Sequence, residues 1–137
     1  MTTRSSGFTL IELLVVVAII GILSAVGVVS YSGYVSATKK KAAENTLYQL
    51  ALAQTEFFTD NRIYKVDANS NCPASAATTT EIATALLGGT GTIPEDFHFC
   101  ADNVNNFQIT ATSTSASGLN CVIILNSNNQ LNKAGCL

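Results

Sequence analysis

The feature that most constrains this chain is an apolar run near its N-terminus, residues 8–29, whose single charged side chain is Glu12. As an α-helix these residues extend about 33 Å, enough to cross the hydrocarbon core of a bilayer. A carboxylate in hydrocarbon costs about 2.5–3.5 kcal/mol on insertion scales and usually marks a functional position. We therefore expect a membrane-spanning helix in which Glu12 has a role that offsets this cost.

The remainder of the chain has a different composition. Only 12% of the residues are charged and the formal net charge is −2. Residues 67–137 are rich in Ser, Thr, Asn, Ala and Gly. This predicts one modest, polar, loop-rich head joined to the apolar segment, and no electrostatic capture of nucleic acid.

The flanks of the apolar run differ from those of a secretory signal peptide, which has a shorter apolar core and a cleavage site after it. Here the small residues 5–7 precede the run. Any cleavage is therefore expected ahead of the apolar segment, which stays on the mature protein. Arg4 precedes the run and Lys39–Lys41 follow it. Charge counting alone would place the head in the cytoplasm.

The helical pattern continues beyond the run and predicts one helix of about 50 residues that ends near 59–61. Its second half carries one apolar stripe with helical spacing, and Glu44 is expected off that stripe. The stripe consists of Ala43, Leu47, Leu50, Ala51, Gln54, Phe57 and Phe58. Lys39–Lys41 are expected to form a solvated helix face, with contact to lipid headgroups or phosphates as the alternative.

A short helix is predicted near 79–87, because Thr78-x-x-Glu81 resembles a capping box and Gly88-Gly89 follows. Three strands are predicted at 97–101, 106–112 and 119–125, with a fourth at 130–134 as an option. The fold class is therefore α+β, a long N-terminal helix packed on a small antiparallel meander of three or four strands.

The four cysteines are Cys72, Cys100, Cys121 and Cys136. They form no C-x-x-C pair and the single histidine has no partner ligand at useful spacing, so no metal site is expected. An even count in a small polar head indicates disulfides in an oxidising compartment, which outweighs the lysine count and places the head outside the cytoplasm. Of three connectivities, Cys72–Cys100 with Cys121–Cys136 is preferred, and the other two stay open.

No motif for catalysis or for a cofactor is present, so we expect neither an enzyme nor a bound cofactor. His98 falls in an alternating strand and is expected at a strand surface or edge. Glu95 and Asp96 are expected to flank that strand in solvent.

At residues 7–23, GFTLIELLVVVAIIGIL resembles the N-terminal motif of type IV prepilins. YSGYV at 31–35 and FFTDNRIY at 57–64 resemble two further segments of the pilin helix. The close similarity covers residues 4–64, and beyond them it is architectural only.

The resemblance implies that prepilin peptidase cleaves between Gly7 and Phe8 and that Phe8 is then N-methylated. It implies a leader at 1–7, a transmembrane and filament-core helix at 8–35 and a globular head at 36–137. Inner-membrane machinery with an assembly ATPase would move the subunit, its head periplasmic, into an extracellular filament of this and other pilins. Glu12 would then meet the N-terminal amine of a neighbouring subunit, so that the charge pair penalises misregistered docking. Pairing of Glu12 with its own N-terminus before assembly is the alternative.

The function so implied is a structural subunit of a type IV pilus, serving adhesion, twitching motility or DNA uptake. One alternative is a minor pilin whose head binds a ligand or DNA, although beyond residue 61 the head offers only Arg62, Lys65 and Lys133 as cations. A second alternative is a pseudopilin of a type II secretion system.

Pilins commonly carry a proline where this chain has Val29. Glycine costs about 1 kcal/mol relative to alanine in a helix, against about 3 kcal/mol for proline. We therefore expect a continuous helix through Val29 in the monomer, and any unwinding in a filament nearer Gly21–Gly27.

Overall fold

The computed structural model describes residues 7–67, 72–91 and 93–136. These residues form two α-helices and one four-stranded antiparallel sheet in the order β1-β2-β3-β4. The predicted α+β class, with a long N-terminal helix and an antiparallel meander, is confirmed. The elements are α1 (Leu10–Asn61), α2 (Ala76–Leu87), β1 (Phe97–Asp102), β2 (Gln108–Ser113), β3 (Val122–Asn126) and β4 (Leu131–Ala134), with a single 3-10 turn at Ser115–Ser117.

The chain divides into two compact units, Met1–Ser36 and Ala37–Leu137, which we call the stem and the head. α1 is the one helix among the described residues that is long and apolar enough to cross a membrane, judged by length and composition. Its apolar side chains in the stem are exposed. The helix continues without a break through Val29, as the glycine argument predicts. Ser24 Oγ, for example, donates to the Ile20 carbonyl at 2.7 Å.

The core of the head forms where the second half of α1 packs on the inner face of the sheet. The predicted stripe is buried from Ala43 to Gln54, whereas Phe57 and Phe58 are half-buried. The apolar residues of this core on α1, on the strands or directly before a strand are Ala43, Leu47, Leu50, Ala51, Phe97, Phe99, Ala101, Phe107, Ile109, Ala111, Cys121, Ile123 and Leu125. Along β2 and β3 the buried positions alternate with half-buried ones, because one face of each strand meets the helix.

α2 begins at Ala76, three residues before the predicted start. Its N-cap is Ser75, whose hydroxyl accepts from the Thr78 N–H while the Thr78 hydroxyl accepts from the Ser75 N–H. The prediction that Thr78 and Glu81 form the capping box was therefore wrong. Thr79 Oγ1 accepts from the Phe99 N–H at 2.8 Å, which fastens α2 to β1.

The sheet contains the optional fourth strand, and β4 pairs with β3 from Val122–Ala134 to Leu125–Leu131. β3 begins three residues later than predicted. The preceding residues are held in a loop, since Ser113 Oγ donates to the Leu119 carbonyl at 3.0 Å and accepts from the Cys121 N–H at 2.9 Å.

Two disulfides close the head, Cys72–Cys100 and Cys121–Cys136. They are the preferred pair of the three connectivities. The first joins the segment before α2 to β1, and the second encloses the β3–β4 hairpin.

Candidate assembly site

Glu12 lies in the first turn of α1 and forms a capping box with Thr9. Its Oε2 accepts from the Thr9 N–H at 2.8 Å and from the Thr9 hydroxyl at 2.7 Å. The Thr9 hydroxyl oxygen in turn accepts a hydrogen bond from the Glu12 N–H, with an N···O distance of 3.3 Å. The carboxylate thus satisfies a backbone donor at the helix start, where negative charge also complements the helix dipole. The Thr-x-x-Glu spacing before an apolar run is the sequence signal for this cap, a role of Glu12 that was not predicted above.

The surroundings of Glu12 are apolar and open. Phe8, Ile11, Val15 and Val16 line a shallow depression of about 310 Å³ next to the carboxylate. Phe8 is 87% exposed. Glu12 is exposed, and no cation contacts its carboxylate within the described stem. Its second oxygen is therefore accessible to a cationic partner.

Gly7 and Phe8 precede the helix in a segment without regular structure. A Cβ placed on Gly7 would meet no atom within 4 Å. The fold of the chain therefore does not demand glycine here. A requirement for glycine at this position would have to come from a partner that binds the segment.

In the head, Lys41 alone of the lysine run 39–41 has the solvated side chain that the sequence predicts, since it is 71% exposed. Lys39 pairs with Asp96 at 2.8 Å and donates to the Ser117 carbonyl at 3.1 Å. Lys40 donates to the Cys136 carbonyl at 3.3 Å. These two lysines tie α1 to three distant parts of the head, and Asp96 is an ion-pair partner and not a solvated strand flank.

Glu44 was expected off the buried stripe, but it is only 6% exposed. It pairs with Lys133 of β4 at 2.6 Å and with Lys41 one turn earlier at 2.8 Å. Burial acts to raise the pKa of Glu44, but hydrogen bonds and charge from the two lysines outweigh it and lower that pKa. This ion triad fixes the edge strand β4 to the long helix.

The cations available to an external anion are few in the described head. Lys65 pairs with Glu81 at 2.7 Å, and Lys133 is held by Glu44. Arg62 is exposed just beyond the end of α1. Two of the three cations counted beyond residue 61 are therefore neutralised by carboxylates.

Asp67 is a buried carboxyl beside the first disulfide. Its Oδ2 accepts from the Ala101 N–H at 2.7 Å, while Oδ1 has no hydrogen-bond partner among the described residues. Burial raises the pKa of Asp67. Ligand atoms of Asp67, Cys72 and Cys100 lie within 4.8 Å of one another, but both sulfurs are bonded to each other and offer no thiolate to a metal.

His98 lies half-buried on β1, an edge strand of the sheet, opposite Thr112. This is the strand position expected from the sequence. Within the described residues no carboxylate hydrogen-bonds the imidazole, so the arrangement gives it no orienting partner for acid–base chemistry.

Comparison with known proteins places these features in a family. The profile of the prokaryotic N-terminal methylation motif matches residues 2–28. The profile described as type IV minor pilin ComP, DNA uptake sequence receptor, matches residues 29–123, more than half of the chain. No solved structure matches the chain.

Similar curated proteins are pilins. The type IV major pilin protein PilA of Myxococcus xanthus is 42% identical over 66 residues, which are 48% of this chain and 30% of that protein. The fimbrial protein EcpC of Eikenella corrodens is 33% identical over 98 residues, 62% of this chain and 64% of EcpC. PilE of Neisseria gonorrhoeae is 36% identical over 56% of this chain and 46% of PilE. The matches span between about a third and two thirds of these relatives, and with the profile matches they show that the chain is a type IV pilin of the ComP minor pilin family.

Proposed function

We propose that this chain is a structural subunit of a type IV pilus. Its stem anchors it in the bacterial inner membrane with the head in the periplasm, and later packs into the filament core. The observation that carries the proposal is the stem itself, an exposed apolar helix with one carboxylate at its start. Such a surface is stable only in lipid or against other apolar helices.

Processing and assembly follow from the same segment. Prepilin peptidase removes residues 1–7, Phe8 is N-methylated, and assembly machinery extracts the subunit, whose core helix spans 8–35 and whose head spans 36–137. The methylation-motif match and the accessible segment at Gly7–Phe8 support this. Cleavage creates a new amine at Phe8, four residues before Glu12. In the filament the Glu12 carboxylate pairs with that amine of a neighbouring subunit.

The test separates the charge of Glu12 from its capping role. Glu12→Gln keeps an acceptor for the Thr9 N–H but removes the charge, whereas Thr9→Ala weakens the cap and keeps the charge. We expect both variants to be cleaved and inserted. We expect Glu12→Gln and Glu12→Ala to yield few or no sheared filaments by electron microscopy, while Thr9→Ala assembles. Normal piliation in Glu12→Gln would contradict the charge role.

A second candidate function is reception of DNA, favoured by the description of the family whose profile matches residues 29–123. The head has few cations that are not paired with a carboxylate, which argues against strong binding, since duplex capture needs several lysine or arginine contacts to phosphates. Binding of labelled duplexes by the full chain in micelles, measured across salt concentrations, tests it. Binding whose salt slope falls by about one in Arg62→Ala would support a receptor. Absence of binding at low salt would leave the structural role alone.

A further inference from the structure

The head carries a cavity whose lining includes neither a stem residue nor any of the cations described above. It has a volume of about 290 Å³ and lies between the exposed side of α1 and the two hairpin turns β1–β2 and β3–β4. This volume is just below the usual range of ligand pockets, roughly 300–1,000 Å³, and suits a ligand of about one ring. The side chains most relevant here are Tyr48, Tyr64, Asn106, Phe107, Ser127 and Asn129.

One wall of the cavity is aromatic and held in place. Tyr64 stacks on Phe58 with ring centroids 4.5 Å apart and contacts Phe107 at 5.1 Å. Phe107 is buried, whereas Tyr48 is 40% exposed as a residue. The cavity therefore has a rigid floor and one accessible ring face.

The opposite rim consists of amides on two turns that are fastened together. Ser127 donates from its N–H to the Phe107 carbonyl at 3.1 Å and from its hydroxyl to the Asn105 carbonyl at 2.6 Å. Asn106 and Asn129 have left-handed backbones, with φ of 84° and 62°. No hydrogen bond within the described chain uses either side-chain amide, so both retain donors and an acceptor for a ligand.

The lining of the cavity contains no charged side chain. A nucleic acid strand needs cations for its phosphates, and an anionic glycan needs them for its carboxylates. A neutral sugar ring matches the cavity, because its C–H face packs on an aromatic ring and its hydroxyls need donors and acceptors together. We propose that this cavity binds one ring of a neutral saccharide, with Tyr48 under the ring face and Asn106 and Asn129 on its hydroxyls. This inference does not depend on filament assembly.

The experiment uses the full chain in phosphocholine micelles, since detergents with sugar headgroups would compete for the cavity. Lactose, maltose and N,N′-diacetylchitobiose are the probes, each followed by saturation-transfer NMR and titration. We expect at least one disaccharide to receive saturation on the C–H protons of one ring. No transfer to any of the three disaccharides would overturn the proposal.

Two substitutions locate the site. Tyr48→Ala removes the exposed ring. Asn129→Asp replaces the amide donor with a negative charge, and aspartate, like asparagine, tolerates the positive φ of this position. Each is expected to weaken binding about tenfold, the equivalent of one lost hydrogen bond or ring contact. Asn128→Asp makes the same charge change on the adjacent exposed residue and is expected to bind as the wild type does. Equal binding by Asn129→Asp and Asn128→Asp would overturn the assignment, as would Tyr48-dependent binding of oligothymidylate in place of the sugars.

Discussion

In the ion triad of Glu44, Lys41 and Lys133, we expect removal of the two lysines to destabilise the fold more than removal of the carboxylate. Glu44 is 9% exposed in its side chain, whereas Lys41 and Lys133 are 71% and 43% exposed. Removing the carboxylate leaves two lysines that water can solvate. Removing both lysines leaves a buried carboxylate without a cation. The two perturbations therefore break the same contacts but differ in what they leave behind.

The magnitudes follow from this asymmetry. In Glu44→Gln, loss of the Lys41 contact, a pair within one helix, lowers the free energy of unfolding by about 0.2–0.5 kcal/mol. Loss of both lysine contacts lowers it by about 1–2 kcal/mol, a figure reduced because the lysines are exposed to solvent. In Lys41→Met/Lys133→Met the buried carboxyl must stay charged or bind a proton. Protonation at pH 7 from an ordinary pKa of 4.5 costs about 3.4 kcal/mol, which limits the loss to roughly 3–4 kcal/mol.

The pH dependence has opposite signs in the two proteins. In the wild type the pKa of Glu44 is lowered on folding, so its stabilisation is present above pH 4.5 and is lost as the pH falls below that value. Without the lysines, burial alone acts on the pKa and raises it. The double variant is then expected to gain stability as the pH falls from 7 towards 4.5.

Urea unfolding of the head, followed by tyrosine fluorescence of the full chain in micelles between pH 4 and pH 7, measures both effects. Lys65→Met is the control, since it breaks an ion pair with Glu81, a carboxylate whose side chain is 45% exposed, and is expected to cost about 1 kcal/mol or less. A double lysine variant no less stable than Glu44→Gln, or one that loses stability on acidification towards pH 4.5, would refute the reasoning.

Three further predictions concern the leader, a buried acid and the stem. Gly7→Val is expected to leave uncleaved precursor in the membrane, seen as a slower band on a gel, and a mature-sized product would contradict this. Asp67→Asn is expected to stabilise the head by about 1 kcal/mol at pH 7, because the wild-type pKa is raised on folding and stability falls as the pH rises above 3.8. An equal or lower unfolding midpoint for the variant at pH 7 would count against that. In a filament, helix loss is expected between Gly21 and Gly27, where breaking the helix costs least. A density map with regular helix through 21–27 and melting beyond Val29 would show the opposite.

The sequence predicted those parts of the fold that follow from local periodicity. The helical stripe from Ala43 to Gln54 indicates which face of α1 is buried, and the alternation in the strands indicates the buried face of the sheet. Packing of these two faces against each other gives the α+β head. The error at the start of α2 is also local. Ser75 and Thr78 are both acceptable N-caps, and the capping box between them, together with the bond from the Phe99 N–H to Thr79, favours the earlier start.

The head contacts that the sequence did not predict join residues far apart in the chain. Glu44 is polar by type and looks like a surface residue until Lys133 is placed beside it by the β3–β4 hairpin. Lys39 and Asp96 are likewise brought together by the way the helix packs on the sheet. No short-range pattern encodes such pairs, because each depends on the completed tertiary fold.

The capping contacts of Glu12 are compatible with the assembly role that we propose for its carboxylate. In the isolated stem its carboxylate accepts two hydrogen bonds from Thr9, which reduces the cost of a charge beside an apolar helix. A carboxylate has about four acceptor sites, so these bonds leave capacity for a cation. Pairing with a neighbour's amine then need not dismantle the cap. The same geometry would hold the carboxylate in one orientation before assembly, so that docking selects a register without first having to order the side chain.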